Sequence, residues 1–214
     1  MSSGAKKIVF KIINRCRNFF SSKSRNRPLN RFKKQLLLKG IIEEDIHISS
    51  LPNLFVCPGS RLQIGKDCTI NNNSLENLAG VSHPTSIATA TPTAQLMIGN
   101  HVGFSGNFIC CVNEIRIGDY VNLGTGACIY DTDFHPIDFL ERRKNPGFDL
   151  DKIPHAPVKI GNDVWIGANA LILKGVTLGD RVIVAAGSIV TKSFPADCII
   201  GGNPAKIIKM LTSE

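Results

Sequence analysis

The sequence predicts an all-β protein wound as a parallel β-helix, and a six-residue repeat carries most of that prediction. From Ile160 the chain divides into the hexads IGNDVW, IGANAL, ILKGVT, LGDRVI, VAAGSI and VTKSFP. An α-helix turns by about 100° per residue, so positions six apart would scatter around its axis. In a strand, residues separated by an even number of positions point to the same side. Gly, Asn and Asp supply the turns between strands. A repeat of hexads is therefore typical of a parallel β-helix.

The hexads also predict which residues fill the core. Every first position is a branched aliphatic residue, and nearly every fifth position is small or apolar. Three hexads make one coil of about 18 residues, so first positions one coil apart should stack on each other. The expected pairs are Ile160 with Leu178, Ile166 with Val184 and Ile172 with Val190.

The repeat extends upstream less regularly. Ile98 and Ile117 lie nineteen residues apart, one more than a coil, which predicts a bulge near Cys110 and Cys111. In this register Cys68 and Cys110 face inward, and both are expected to be small core residues. The upstream first positions are expected at Ile64, Ile70, Ile98, Phe104, Cys110, Ile117, Leu123 and Ile129.

A charged stretch with several prolines interrupts the repeat between Ile129 and Pro157. Since it lacks the hexad pattern, it is expected to leave the coil as a loop, and such loops commonly carry function. The stretch begins with DTDFHP, residues 131–136, where two carboxylates and an imidazole fall within five residues. We therefore expect a basic helical segment over 1–50 and a β-helix domain over 51–211, with a loop at about 130–157 and a short tail.

Charge is distributed unevenly along the chain. The first 39 residues contain twelve Lys or Arg and no acidic residue, whereas the remainder has thirteen basic and seventeen acidic residues. Residues 5–20 carry an apolar stripe at helical spacing, and a second helix is expected at about Asn30 to Lys39, ended by Gly40. A basic amphipathic helix can lie on an anionic membrane, but it can equally cap the open end of a coil stack. Both roles remain open, and nucleic-acid binding is not expected because no motif accompanies the charge.

The cysteines and the hydropathy favour a cytoplasmic protein. Seven cysteines occur without a CxxC pair, which indicates a reduced chain without structural zinc. No apolar run approaches the roughly 20 residues of a membrane-spanning helix. The expected location is the cytoplasm, with the inner face of the cytoplasmic membrane as the alternative if the basic segment binds lipid.

Four stretches carry motifs narrower than the hexads themselves: IGNHVGFSG (98–106), IGDYVNLGTGACIYDTDFHP (117–136), KIGNDVWIGANALILKGVTLGDRVIVAAGSIVTK (159–192) and GGNPAKIIK (201–209). Together they resemble the hexapeptide-repeat acyltransferases, especially the maltose and galactoside O-acetyltransferases and their polysaccharide-modifying relatives. This resemblance covers roughly residues 60–210. It implies a left-handed coil, a homotrimer with active sites between protomers, and acetyl-CoA as the acyl donor.

The resemblance also implies roles for individual residues. His135 matches the histidine that acts as general base. Ser105 stands where the galactoside enzymes place an acceptor-binding asparagine, and Asn107 lies two residues further on. With Asp133 these two are the expected acceptor contacts, although a galactoside acceptor is not implied. The matching donor contacts are Trp165, Ala168, Ala186, Thr191 and Lys192, with Lys206 and Lys209 near the phosphates.

Simple chemistry agrees with a base at His135. Acetyl transfer from a thioester to a hydroxyl needs a group that accepts a proton near neutral pH, and imidazole does so. Asp131 or Asp133 could hold the other ring nitrogen. A zinc site of the kind found in β-helix carbonic anhydrases would need two histidines close together, and no two here are closer than eighteen residues. No metal is therefore expected.

These observations predict an acetyl-CoA-dependent O-acetyltransferase that modifies a sugar or a surface-glycan precursor. Two alternatives remain. The acceptor could instead be an amino sugar or a xenobiotic, since hexads encode donor binding better than acceptor identity. The β-helix could also be a scaffold without catalytic activity, although the combination of His135, Trp165 and Lys192 argues against this.

Overall fold

The structure is a computed structural model that describes residues 22–44, 46–75, 77–144 and 149–211. Over these residues the chain winds as a β-helix with three flat faces, so the predicted fold class is confirmed. Neighbouring strands pair in parallel, except that the last two strands form an antiparallel hairpin. Two helices accompany the strands, α1 (Ser22–Leu38) and α2 (Phe139–Arg143).

Each face is one sheet, and its strands follow one another along the axis. The eight-stranded face contains β1 (His47–Ile48), β4 (Thr69–Ile70), β7 (Gly103–Phe104), β10 (Asn122–Leu123), β13 (Trp165–Ile166), β16 (Ile183–Val184), β18 (Cys198–Gly202) and β19 (Ala205–Met210). The six-stranded face contains β2 (Asn53–Val56), β5 (Ser86–Thr89), β8 (Phe108–Cys111), β11 (Cys128–Tyr130), β14 (Leu171–Ile172) and β17 (Ile189–Val190). The five-stranded face contains β3 (Arg61–Ile64), β6 (Gln95–Ile98), β9 (Glu114–Ile117), β12 (Val158–Ile160) and β15 (Thr177–Leu178).

Three corners join the faces. The first corner leads from the eight-stranded to the six-stranded face, the second from the six-stranded to the five-stranded face, and the third closes the coil. A regular coil turns its first corner in four residues, such as 124–127. Two corners are much longer. The first corner between β4 and β5 carries residues 71–85, which we call the 71–85 insertion, and the second corner between β11 and β12 carries the 131–157 loop.

The core consists of the positions that the hexads predict. All first and fifth positions of the six hexads from Ile160 are buried. Ile160 lies opposite Leu178, Ile166 opposite Val184 and Ile172 opposite Val190, as expected. Burial of apolar residues in ladders leaves each backbone N–H and C=O of the strands to pair with the next coil, which is how a stack of short strands satisfies its hydrogen bonds.

The upstream register differs from the prediction at one point. In β8 the buried residues are Ile109 and Cys111, while Cys110 is half-buried on the outside. Gly103 pairs with Asn122, and Ile109 pairs with Ile129. The first corner between β7 and β8 therefore has three residues, 105–107, one fewer than the regular four. The extra residues follow on the second corner. Placing Cys110 in the core was therefore wrong, because a one-residue slip reverses every side chain of a strand, whereas Cys68 is buried as expected.

A ladder of Asn and Asp side chains runs along the third corner. Each Oδ1 accepts a backbone N–H from the preceding coil: Asn100 from Lys66 at 3.1 Å, Asp119 from Asn100 at 2.7 Å, Asn162 from Asp119 at 2.9 Å and Asp180 from Asn162 at 2.7 Å. The ladder satisfies corner N–H groups that have no strand partner. We call it the third-corner ladder.

The ladder also explains the glycine in the second place of these hexads. A Cβ on Gly161 would lie 2.5 Å from Oδ1 of Asp180, and one on Gly118 would lie 2.6 Å from Oδ1 of Asn162. No other residue type leaves room for the side chain that holds the corner.

Helix α1 covers the N-terminal end of the coil stack. Leu36 is buried, and Leu29 and Phe32 pack against the same core. The helix ends as predicted: Gly40 has φ 64°, Gly40 N donates to Leu37 O and Ile41 N donates to Leu36 O. This is the Schellman arrangement that places glycine after a helix.

The β-helix begins earlier than position 51. Ile42 is buried and bridges to Ile64, and β1 pairs with β4. Residues 41–50 therefore belong to the first coil and not to the basic segment. The apolar stripe predicted over residues 5–20 lies outside the described residues.

Candidate active site

The 131–157 loop leaves the coil at a buried carboxylate. Asp131 is 0% exposed, and its oxygens accept the backbone N–H groups of Val112 at 2.8 Å, Asn113 at 2.8 Å and Glu114 at 2.9 Å. Val112 and Asn113 form the second corner of the preceding coil, and Glu114 begins β9. Asp131 thus pins the base of the loop to the coil and is fully buried, away from the exposed His135 side chain.

The backbone then turns sharply to present His135. Phe134 has φ 62°, a left-handed conformation that costs a residue with a Cβ of the order of 1 kcal/mol and often marks a functional site. Its ring meets Tyr130 edge-on at 5.1 Å, and His135 N donates to Asp133 O at 2.7 Å. Pro136, the next residue, is buried. The His135 side chain is exposed between these anchors.

Both sides of the loop are held close to this turn. Thr132 forms an isolated antiparallel bridge with His155, and Asp133 N donates to Pro154 O at 3.0 Å. On the other side, the Arg142 guanidinium in α2 donates to Pro136 O at 2.9 Å. The imidazole of His135 is therefore exposed on a backbone that is fixed at each flank.

Asp133 lies beside His135 but is engaged elsewhere. Its Oδ1 accepts from Lys174 Nζ at 2.7 Å, and both side chains are about one third exposed. Within the described residues, no side chain contacts a ring nitrogen of His135. The expectation that Asp131 or Asp133 holds the imidazole is thus not met within one chain.

A second set of predicted residues lies along the first corner. Trp165 is 56% exposed on the eight-stranded face, as its place in the hexad predicts. Ala168 and Ala186 follow at the first corners of successive coils, joined by the bond from Gly187 N to Ala168 O at 2.8 Å. A Cβ on Gly167 would lie 2.5 Å from Ala186 N. The small residues leave a shallow track beside an exposed aromatic ring, a surface suited to an extended ligand.

Comparison with known proteins identifies the repeat. Residues 157–192 match the family described as the hexapeptide repeat of succinyl-transferase. The galactoside O-acetyltransferase of Escherichia coli is 33% identical over 133 residues, which are 59% of this chain and 63% of that protein. The chloramphenicol acetyltransferase of Morganella morganii is 36% identical over 114 residues, 48% of this chain and 54% of that protein. The chain spans about half the length of the curated relatives it matches.

Solved structures agree with this fold. A hexapeptide-repeat acetyltransferase from Vibrio cholerae, complexed with acetyl coenzyme A, superposes with a TM-score of 0.51 at 24% identity over 88% of this chain and 81% of that one. A galactoside acetyltransferase in complex with coenzyme A gives a TM-score of 0.52 at 22% identity over 99% and 84%. The chain thus carries a hexapeptide repeat and has the fold of hexapeptide-repeat acetyltransferases. Its fold is accordingly the left-handed parallel β-helix.

The residues that match the hexapeptide-repeat acyltransferases fall into two groups within one chain. The second corner carries Asp133 and His135 on the loop, and Thr191 and Lys192 after β17. The other group lies on the first corner or the adjoining eight-stranded face: Ser105, Asn107, Trp165, Ala168, Ala186, Lys206 and Lys209. The six-stranded face separates the two groups. One chain therefore does not bring the predicted base and the predicted donor track together.

The basic residues differ in their surroundings. Lys192 lies over the ring of Phe194, 5.7 Å from its centroid, and is exposed. Lys206 and Lys209 are exposed on β19, at the C-terminal end of the eight-stranded face. All three are free to meet an anionic group.

Ser105 and Asn107 play different parts. Asn107 is 0% exposed; its Oδ1 accepts from Ser105 N at 2.6 Å and its Nδ2 donates to Gly124 O at 2.8 Å. These bonds brace the shortened corner, so Asn107 is structural where an acceptor contact was expected. Ser105 is half-buried, and its hydroxyl accepts from Asn77 Nδ2 at 3.1 Å.

Two cysteines beside the loop, Cys110 and Cys111, are poor candidates for a nucleophile. Burial raises the pKa of Cys110 to about 11, and the charge of Asp131 adds to the effect. Burial likewise raises the pKa of Cys111, again reinforced by Asp131. Thiols of this kind carry little thiolate at neutral pH and are poor nucleophiles. The six cysteines in the described part of the chain are free.

The described ranges contain no group of three His, Cys, Asp or Glu side chains placed to hold a metal ion. They also contain no helix long and apolar enough to span a membrane. A cavity of 340 Å³ lies between Thr91, Pro92 and Asp149, and none of the predicted site residues lines it.

The sequence patterns do not single out Asn77 or Lys174. Both contact predicted site residues, and both lie where no motif directs attention: Asn77 in the 71–85 insertion and Lys174 on a regular second corner. The gap between Ile70 and Ile98 in the list of first positions was the available signal for the insertion.

Proposed function

We propose that the protein is an acetyl-CoA-dependent O-acetyltransferase that modifies a hydroxyl of a sugar or a glycan precursor, with His135 as the general base. The observation that carries the proposal is the placement of His135: an exposed imidazole on a rim whose backbone is fixed on both sides. A base must keep its position while the acceptor changes, and this anchoring provides that. Relatives named as acetyltransferases, and a neighbour bound to acetyl coenzyme A, support the donor.

The donor track runs along the first corner from Trp165 past Ala168 and Ala186 toward β19, and its two ends would bind different parts of acetyl-CoA. Lys206 and Lys209 at the C-terminal end attract the phosphates, whereas Trp165, Ala168 and Ala186 provide a surface for the pantetheine arm. The thioester then points toward the N-terminal coils. Thr191 and Lys192 lie on the other corner and contribute from a neighbouring protomer.

A homotrimer closes the site. The six-stranded face has apolar outer side chains in its later strands, whereas the five-stranded face is polar and charged. The half-buried outer residues of the former are Phe108, Cys110, Cys128, Tyr130, Leu171 and Ile189. The outer residues of the five-stranded face are mostly exposed and include Arg61, Gln95, Glu114, Arg116, Lys159 and Thr177. If three copies turn their six-stranded faces to a common axis, the first corner of each meets the second corner of the next. His135 of one protomer then faces the donor track of its neighbour.

The chemistry uses few groups. The sugar oxygen attacks the acetyl carbonyl carbon while His135 takes the hydroxyl proton. The carbon–sulfur bond breaks, and the imidazolium returns the proton to the departing thiolate, so the histidine ends unchanged. No acyl-enzyme forms, in keeping with the raised pKa of the nearby thiols.

The proposal extends to location. Helix α1 already covers the end of the coil stack, so the basic residues before it are not needed as a cap. Twelve basic and no acidic residues in the first 39 positions suit contact with an anionic lipid surface. We place the protein in the cytoplasm, with this segment at the inner face of the membrane.

An acceptor screen tests the function. Release of coenzyme A from acetyl-CoA is measured with methyl glycosides, lipid-linked glycans, glucosamine and chloramphenicol; the last two represent the amino-sugar and xenobiotic alternatives. The proposal expects turnover with a sugar hydroxyl, and His135→Ala should lower kcat by about 10²–10⁴. The control His47→Ala removes an exposed histidine on β1 and should leave kcat unchanged. Turnover confined to amines or chloramphenicol would contradict the acceptor, and no turnover at all would favour a scaffold.

A further inference from the structure

The 71–85 insertion is the part of the fold that the proposed mechanism leaves without a role. It replaces a four-residue corner with fifteen residues. The segment is held by its own asparagines. Asn72 Oδ1 accepts from Thr85 N at 2.8 Å, Asn73 Oδ1 from Leu75 N at 3.1 Å and Asn77 Oδ1 from Ala79 N at 3.0 Å. A segment with this many internal bonds has a defined surface.

The insertion reaches across the next two coils along the first corner. Asn77 Nδ2 donates to Ser105 Oγ at 3.1 Å, and Thr125 Oγ1 donates to Gly80 O at 3.3 Å. Asn169 N in the following coil donates to Thr125 O at 2.9 Å. Ala168, the first small residue of the donor track, is therefore one coil beyond the insertion, about 4.8 Å along the axis. The insertion stands at the end of the track to which the thioester points.

His83 gives the insertion a polar group without a partner. Its ring packs on Phe108 with centroids 4.3 Å apart, and its Nδ1 is buried and makes no hydrogen bond. A proton on Nδ1 would bury an unpaired N–H, which costs free energy. We therefore assign the proton to Nε2, so the half-buried ring has a hydrogen-bond donor to offer.

The chemistry of this surface is uncharged. Asn77, Ser105, Thr125 and His83 offer amide, hydroxyl and imidazole groups, the partners that sugar hydroxyls use. Residues 71–85 contain no Lys or Arg and one acidic residue, Glu76. A carboxylate or phosphate on the acceptor would find no lysine or arginine in the insertion.

We propose that the 71–85 insertion forms the acceptor wall of the cleft and selects an uncharged sugar, with Asn77 positioning the Ser105 hydroxyl and His83 donating to a sugar oxygen. This inference rests on the proposed function, because it takes the first corner as the place where acceptor and thioester meet.

The test compares acceptors that differ only in charge. Methyl glycuronides in the gluco, galacto and manno series are assayed against their uncharged 6-amides, the methyl glycuronamides, by coenzyme A release from acetyl-CoA. The kcat/KM should be at least about tenfold higher for the uncharged member. A ratio of this size corresponds to the free energy lost when one hydrogen bond to the acceptor is not made. A preference for the glycuronides would overturn the proposal.

Two variants test the residues. Asn77→Ala removes the bond to Ser105, and His83→Phe keeps a ring on Phe108 but removes both nitrogens. Each should raise the KM for the acceptor by about three- to tenfold while the KM for acetyl-CoA stays within about twofold. A structural defect would instead lower kcat, the melting temperature or both. The matched controls are Asn73→Ala in the same insertion, and His101→Phe, whose ring stacks on Tyr120 at 4.4 Å on the third corner.

The outcomes separate this inference from the proposed function. If glycosides are acetylated and His135 is required, but both variants keep the parental acceptor KM, the acceptor wall is wrong and the function stands. If no glycoside is acetylated, or if His135→Ala is as active as the parent, the function fails and the inference fails with it.

Discussion

Asp131 illustrates how a residue in a functional motif can serve the fold. DTDFHP predicts chemistry, yet the first carboxylate is buried and bound to three backbone N–H groups from residues 112–114. Those partners lie seventeen or more residues away in sequence, so spacing alone does not reveal them. What the sequence does predict is the junction itself, since the hexads stop at Ile129. The exposed position of His135 follows from that junction.

The role of Asp131 can be measured. Asp131→Asn puts an amide nitrogen where a carboxylate oxygen meets a backbone N–H, which leaves buried donors facing each other. The free energy of unfolding should fall by about 1–3 kcal/mol, and the melting temperature by about 2–4 °C per kcal/mol for a chain of this size. The exposed control Asp163→Asn should be neutral. Equal melting temperatures for parent and Asp131→Asn would show that Asp131 does not pin the loop.

At the scale of the elements, the structure agrees best with the prediction where the hexads are regular. From Ile160 onward the core, the stacking pairs and the outward Trp165 follow from period six. Upstream, a shortened corner moves the register by one residue, and Cys110 faces outward. Corner length is set by hydrogen bonds such as those of Asn107, which a side-chain pattern does not encode. The 71–85 insertion is marked in the sequence only by the gap between Ile70 and Ile98 among the first positions.

The third-corner ladder makes an element-scale prediction. Asn and Asp alternate along it, so no two carboxylates are neighbours: Asn100, Asp119, Asn162, Asp180. Asn162→Asp keeps the acceptor for Asp119 N but stacks three carboxylates about 4.8 Å apart. We expect a loss of about 1 kcal/mol in unfolding free energy at low salt.

Salt separates charge repulsion from other causes. In 1 M NaCl the Debye length is about 3 Å, so most of the Asn162→Asp defect should disappear in denaturant titrations. The comparison variant Asn162→Ala loses the acceptor itself, and its defect should persist at every salt concentration. A salt-independent defect in Asn162→Asp would count against the alternation argument.

At the scale of the whole molecule, the predicted site residues lie at two corners that one chain does not bring together. The first corner carries the donor track and the acceptor wall, the second corner carries His135, and an apolar face lies between them. Sequence similarity indicates which residues belong to the site. Only the structure shows that some of them lie on the first corner and the others on the second. If His135 acts on acetyl-CoA bound along the donor track, as proposed, the two must come from different protomers, and the proposed trimer would supply them.

The central claim is that one site draws its base and its donor track from two protomers, and mixed trimers test it directly. His135→Ala lacks the base, and Ala186→Trp fills the donor track at an exposed position. Both chains are co-expressed with different tags and purified through both tags, and mass spectrometry verifies the mixed assemblies. Each variant alone should be inactive, whereas the doubly purified mixed trimers should regain about a third of parental turnover, because in either 2:1 assembly one interface of the three joins an intact track to an intact histidine. Mixing His135→Ala with the doubly substituted chain should restore nothing. Mixed trimers of the two single variants that stay inactive would contradict the account.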